Sequence, residues 1–210
     1  MANLITLSRF LLLFVLVAMA LKAPPAWQLV NAPLLVLIIA LDGIDGYVAR
    51  RRGETSSFGS VFDIMVDRIV ENVICLVLAY LDLLPLWVAI LFLTRGIVVD
   101  SIRYRAVAEG ETVFGMMRSR WGRLLVAGRF ARGLYGALKL VTFGWLFLIQ
   151  PWPMLYPEFW SIWNTAIVTG GNVLVFATVI MCIARAVPVI IEYLWAEGIV
   201  TRPKMMREAR

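Results

Sequence analysis

Histidine is absent from the 210 residues, and with it go every His-containing catalytic triad, His-ligated zinc site and His-held haem. Cysteine is almost absent too. Cys75 and Cys182 both sit in apolar stretches, where a thiol acts as a small buried side chain, so neither a disulfide framework nor a thiolate metal site is expected. Charged residues make up only 16% of the chain and no aspartate follows Asp100. No internal repeat or low-complexity tract is visible, which sets aside solenoids and linker-like chains. The metal chemistry left open is that of hard cations held by oxygen.

What the chain has in excess is apolar surface, with 61% hydrophobic residues and a mean hydropathy of +0.85. A soluble domain with a polar surface does not tolerate that composition, so an integral membrane protein is expected. Apolar runs of roughly 20 residues, the length that crosses a ~30 Å hydrocarbon core as a helix, recur about six times. The expected fold is therefore all-α and polytopic, six transmembrane helices in one bundle forming a single domain over 1–210. Spans are expected at about 4–20, 27–50, 58–81, 85–104, 134–148 and 163–186, with an interfacial and cytoplasmic tail over 192–210. The first 22 residues read as a retained span, not a removed signal, because no small-residue cleavage site precedes Lys22.

Lysine and arginine set the orientation. Arg9, the Arg50-Arg51-Arg52 run, the basic segment from Arg103 to Arg132 and the tail fall on one side of a six-span chain, and the opposite turns hold Lys22. That imbalance puts both termini in the cytoplasm. The formal net charge of +6 then reads as topology and attraction to anionic lipid head groups, and nucleic acid is not an expected partner.

Against this apolar background one window stands out, Asp42 to Asp67, DGIDGYVARRRGETSSFGSVFDIMVD. Asp42 and Asp45 are spaced i,i+3 and Asp63 and Asp67 i,i+4, so each pair shares one face of its own helix. A polar turn separates the two pairs, which places them at the same membrane face. Four carboxylates brought together cannot all stay ionised unless a cation sits among them. The pattern points to one or two divalent cations, Mg²⁺ or Mn²⁺, with positions left open for the oxygens of a diphosphate. Gly46, Ala49 and Gly59 are small enough to let a substrate or a neighbouring helix approach, and Arg50 offers a forked donor for phosphate.

The skeleton Asp-x2-Asp-Gly-x2-Ala-Arg-x8-Gly-x3-Asp-x3-Asp resembles, position for position, the signature of the CDP-alcohol phosphatidyltransferase family, membrane enzymes with six transmembrane helices that make phospholipids. None of its fixed positions, Asp42, Asp45, Gly46, Ala49, Arg50, Gly59, Asp63 and Asp67, departs from the pattern. A weaker opening, Asn3-x2-Thr6-x2-Arg9, extends the resemblance into the first span. The resemblance implies that Asp42, Asp45 and Asp63 ligand two divalent cations, Asp67 also touching a metal and serving as general base. It further implies that Asn3, Thr6, Gly46, Ala49, Arg50 and Gly59 line the site for the cytidine diphosphate part of the donor. The implied reaction moves a phosphatidyl group from CDP-diacylglycerol to a small alcohol with release of CMP. A homodimer in a bacterial inner membrane, with the site facing the cytoplasm, is the implied setting.

For the acceptor, Arg95, Arg103, Arg105, Arg118, Arg129, Arg132 and Lys139 suit a molecule that itself carries phosphate, and Arg95 and Lys139 lie too deep in their spans to be plain topology markers. Arg95 and Arg103 are similar to arginines of phosphatidylglycerophosphate synthases and favour glycerol 3-phosphate. The Tyr104-Arg105-Ala106 stretch followed by Glu109-Gly110 resembles members that use inositol phosphate. A divalent-cation transporter is the rival from another class, but it would place acids on broken helices near the bilayer midplane of two matching halves. A membrane prenyltransferase would need a second Asp-rich motif, which a chain without aspartate after Asp100 does not supply.

Overall fold

The computed structural model describes residues 2–52, 57–108, 119 and 122–197, apart from the side chains of 2–3, 45–52, 57–58, 60 and 108. Every regular element among the described residues is helical. In chain order they are α1 (Ala2–Lys22), α2 (Pro25–Gln28), α3 (Asn31–Arg52), α4 (Ser57–Tyr80), α5 (Leu86–Ala108), a π-helical turn (Arg123–Ala127), α6 (Arg129–Ile149), α7 (Trp152–Leu155) and α8 (Pro157–Ala196). Prolines punctuate them for a local reason. Pro25 stands at the start of α2, where its missing N–H costs no hydrogen bond. Asp82 closes α4 in the left-handed region at φ 56°, a conformation that aspartate tolerates better than most residues, and Pro85 keeps the chain from resuming the same helix.

Among the described residues six helices are longer than 20 residues, each overlapping one of the stretches expected as a span. Four stretches among the described residues are long and apolar enough to cross a membrane: Leu4–Lys22, Pro25–Ile44, Arg129–Leu155 and Pro157–Ala196. The other two long helices, α4 and α5, carry Asp63, Asp67, Arg68 and Glu71 and, in α5, Arg95, Asp100, Arg103 and Arg105. The last helix differs from expectation. At 40 residues it measures about 60 Å at 1.5 Å per residue and runs through Pro188. Its far end is held by packing: Val189 is buried with Val99, Ile102, Val126 and Ala186, and Ile190 and Tyr193 pack on that cluster. Buried contacts on both sides of Pro188 keep the helix continuous despite the lost backbone bond. Glu192, placed by sequence at the start of the tail, lies inside this helix and is buried; residues 198–210 lie outside the described set.

The chain divides into two units. One comprises Met1–Phe92 and Leu138–Ala177, the other Leu93–Ala137 and Thr178–Arg210. In the first, α1 packs against α3 and α4, with Leu13, Leu16, Leu35, Ile38 and Leu78 wholly buried. Polar side chains tie helix ends together: Gln150 Nε2 donates to the Ala20 carbonyl at 2.7 Å, and Asn31 Nδ2 approaches Gln150 Oε1 at 3.5 Å. Gly171 packs against Trp145, whose indole would lie in ordinary contact, at 3.4 Å, with a Cβ placed there. In the second unit, Ser119 donates through its hydroxyl and its backbone N–H to Glu192, and Gly122 N–H donates back to the Ser119 hydroxyl at 2.9 Å. The π-helical turn that follows ends at Gly128, where a Cβ would collide with the Leu124 carbonyl.

If the Gln150 link fixes the ends of α1 and α6, Gln150→Leu lowers unfolding stability in detergent by about 1 kcal/mol, the scale of an interhelical hydrogen bond in a membrane protein. Gln28→Ala, which removes a bond within one turn, serves as the comparison. Equal losses in the two variants would argue against a special role for Gln150.

Candidate active site

Three helices of the first unit meet around Arg9. The second turn of α1 delivers its guanidinium, which is 1% exposed. Its Nη1 lies 2.6 Å from Asp42 Oδ1 on α3 and 3.2 Å from Asp63 Oδ1 on α4, and its Nη2 lies 3.8 Å from Asp67 Oδ1, one turn further along α4. The i,i+4 spacing of Asp63 and Asp67 is what aims both toward the same neighbour. The carboxylates are 41%, 44% and 56% exposed in that order. The cluster is thus a buried positive floor beneath half-open acids, with Asp67 the loosest held. Thr6, one turn before Arg9, is buried at 3% beside this floor's helix, and Gly59 lies one turn before Asp63.

Deeper along α4 the acidic face continues. Glu71, i,i+4 from Asp67, is 9% exposed and accepts from Arg68 Nη1 at 2.8 Å and from Lys139 Nζ on α6 at 3.0 Å. Lys139, expected from sequence to hold an acceptor phosphate, is therefore already paired across two helices.

The second unit gathers arginines. Arg95 and Arg185 each lie with their guanidinium carbon 5.5 Å from the centroid of the Tyr135 ring, which is buried. Arg185 donates from Nη1 to the Leu125 carbonyl at 2.5 Å and reaches the Val126 carbonyl at 3.5 Å, both in the π-helical turn. A π-helical turn leaves carbonyls out of the regular ladder, and Arg185 takes them up. Arg103 stands 3.9 Å from Asp100, Arg105 is bound to Glu197 at 2.8 Å and to the Tyr193 hydroxyl at 2.8 Å, and Arg129 and Arg132 are exposed.

Of the expected site residues, Asp42, Asp63 and Asp67 are brought together, with Thr6 and Gly59 on the same helices. The side chains of Asn3, Asp45, Ala49 and Arg50, the surroundings of Gly46, and all of Arg118 lie outside the described residues. An oxygen-only donor set of aspartates, with neither histidine nor cysteine near, fits a hard divalent cation in its chemistry. As placed, no three acidic side chains among the described residues are arranged to hold a metal ion; the three that converge do so on Arg9. Sequence reasoning treated Arg9 as a topology signal and part of a weak opening motif, and passed over Glu71, Arg185 and Glu192. The i,i+4 run Asp63, Asp67, Glu71 was the available signal for Glu71.

The family model for CDP-alcohol phosphatidyltransferase matches residues 1–183. Among curated proteins the chain is 27% identical over 104 residues to the CDP-diacylglycerol–glycerol-3-phosphate 3-phosphatidyltransferase of Bacillus subtilis (strain 168), covering 48% of this chain and 54% of that one. It is 32% identical over 105 residues to the protein of the same name from Treponema pallidum (strain Nichols), covering 50% and 47%. To the archaetidylinositol phosphate synthase of Aeropyrum pernix it is 34% identical over 100 residues, covering 46% and 51%. The chain spans about half the length of the curated relatives it matches.

Glu71 keeps Arg68 when Lys139 is lost, so Lys139→Met should cost roughly 1.5–3 kcal/mol of unfolding stability, the scale of one charge-assisted hydrogen bond, and Glu71→Gln in the same chain should return part of it. Thermal unfolding of the single and double variants checks this. A Lys139→Met protein of unchanged stability would show that Glu71 does not depend on it.

Proposed function

The chain belongs to the CDP-alcohol phosphatidyltransferase family, and from that membership we propose that it moves a phosphatidyl group from CDP-diacylglycerol to glycerol 3-phosphate, releasing CMP. The observation that carries this reading is the convergence of Asp42, Asp63 and Asp67 from two helices onto Arg9, near the middle of α3 and in the first half of α4. We take Asp42, Asp45 and Asp63, with Asp67 alongside, as the ligands of two divalent cations, Mg²⁺ or Mn²⁺. When bound, such ions neutralise charge on the diphosphate and on the departing CMP.

The protein's own groups do the remaining work. Asp67, the most exposed of the three described carboxylates around Arg9 and the one furthest from it, accepts the proton of the acceptor hydroxyl as the hydroxyl oxygen attacks the lipid-side phosphorus. Asn3, Thr6, Gly46, Ala49, Arg50 and Gly59 form the bed of the cytidine diphosphate, small residues allowing approach and Arg50 supplying a fork to phosphate. Arg95, Arg103 and Arg132 hold the acceptor's phosphate. Arg105 and Lys139, committed to Glu197 and Glu71, support their helices.

In this reading the six long helices are six spans, both termini lie in the cytoplasm and the acids open to that side of a bacterial inner membrane. Residues 1–210 act as one membrane domain, which a family match running through both units supports, and two copies form a homodimer. Two relatives carry glycerol 3-phosphate in their names, which supports that acceptor. A relative named for archaetidylinositol phosphate supports inositol phosphate as the alternative.

The purified chain with Mg²⁺ should release CMP from CDP-diacylglycerol when glycerol 3-phosphate is present, and inositol 1-phosphate, inositol, serine and choline should not replace it. Asp67→Asn should lower the rate roughly 10²–10⁴-fold, the usual contribution of a general base, with donor binding retained. Chelation should stop release and added Mg²⁺ or Mn²⁺ restore it. Undiminished turnover in Asp67→Asn would remove the base, and full activity in excess chelator would remove the metals.

A further inference from the structure

We propose that Arg9 is the resident counter-cation of the acid cluster, and that a divalent cation enters the site by displacing its guanidinium from Asp42 and Asp63. The inference rests on the metal reading above and adds to it the means by which the site is held before loading. Three observations support it.

First, one guanidinium nitrogen serves two helices. Nη1 lies within 3.2 Å of an oxygen from Asp42 and an oxygen from Asp63, so it occupies the place where a cation shared by those two carboxylates would sit. Mg²⁺ holds its oxygens at about 2.0–2.1 Å in near-octahedral order. An ion at that point and Nη1 do not fit there together.

Second, the three described acids of the cluster converge on the arginine from two helices, Asp67 more loosely at 3.8 Å than Asp42 and Asp63.

Third, the carboxylates can be reached from outside: Asp42, Asp63 and Asp67 are each two-fifths exposed or more, so an arriving divalent ion meets them before it meets Arg9. Arg9, at 1% exposure, lies beneath the carboxylates. Arg9 is accordingly a positioning residue. It keeps the metal-free carboxylates from repelling one another and makes metal binding a substitution, which weakens it.

The test measures metal binding directly. Full-length protein in detergent, freed of metal by chelation and then exchanged into chelator-free buffer, is titrated with Mn²⁺ alone while the free-ion EPR signal is followed; thermal unfolding is recorded with and without the ion. Arg9→Gln should bind Mn²⁺ about tenfold more tightly than the unaltered chain, the equivalent of losing one competing charge-assisted hydrogen bond. Its unfolding temperature should be lower than that of the unaltered chain without metal and should rise further on Mn²⁺ addition. If Arg9→Gln does not survive purification, Arg9→Lys carries the same comparison, because a single ammonium does not reach across both helices as a fork does, and it too should bind Mn²⁺ more tightly. Weaker or unchanged Mn²⁺ binding in the variant that is measured would overturn the competition while leaving the metal site standing. Absence of Mn²⁺ binding in the unaltered chain and the variant would overturn the metal reading, and the competition with it.

Discussion

A single buried arginine surrounded by carboxylates from two other helices is the constraint on which the first unit depends. An arginine that is 1% exposed in an apolar bundle is expensive unless its charge is met, and Asp42, Asp63 and Asp67 meet it. The reverse also holds, because three carboxylates in such a place need a cation. Buried ion pairs are weak sources of stability but strong sources of geometry. Here the geometry is the point: the pairing sets the rotation of α1 against α3 and α4 and thereby aims the aspartates at a common place.

The same logic recurs away from the site. Glu71 gathers Arg68 and Lys139, Arg185 satisfies the carbonyls of the π-helical turn, and Gln150 caps the Ala20 carbonyl. These polar groups inside the apolar helices find partners on another element or in an irregular turn, as a medium without water demands.

Much of this was readable from residue order. The period of four that relates Asp63 to Asp67 survives folding, both facing Arg9, because helix geometry alone turns such a spacing into a shared face. Helix positions were readable for the same reason, since runs of apolar residues broken by Lys22-Ala-Pro-Pro and Leu83-Leu84-Pro85 leave little choice. What could not be read was which distant residue would face which. Arg9 sits among leucines 33 residues before the first aspartate, and nothing local marks it as the partner of that aspartate and of two more on α4. The length of α8 was hidden likewise: Pro188 signals an end, and only the packing of Val189 and Tyr193 overrides it. The Lys139–Glu71 pair is another tertiary fact, invisible until α4 and α6 are side by side.

The most direct measurement of the central claim is anomalous diffraction from crystals of the protein soaked in Mn²⁺. The account predicts a manganese peak within coordinating distance of Asp42 and Asp63, with Asp45 and Asp67 beside it and the Arg9 guanidinium withdrawn from the shared oxygens. A peak elsewhere in the bundle, or full manganese occupancy with Arg9 still bonded to both carboxylates, would contradict it.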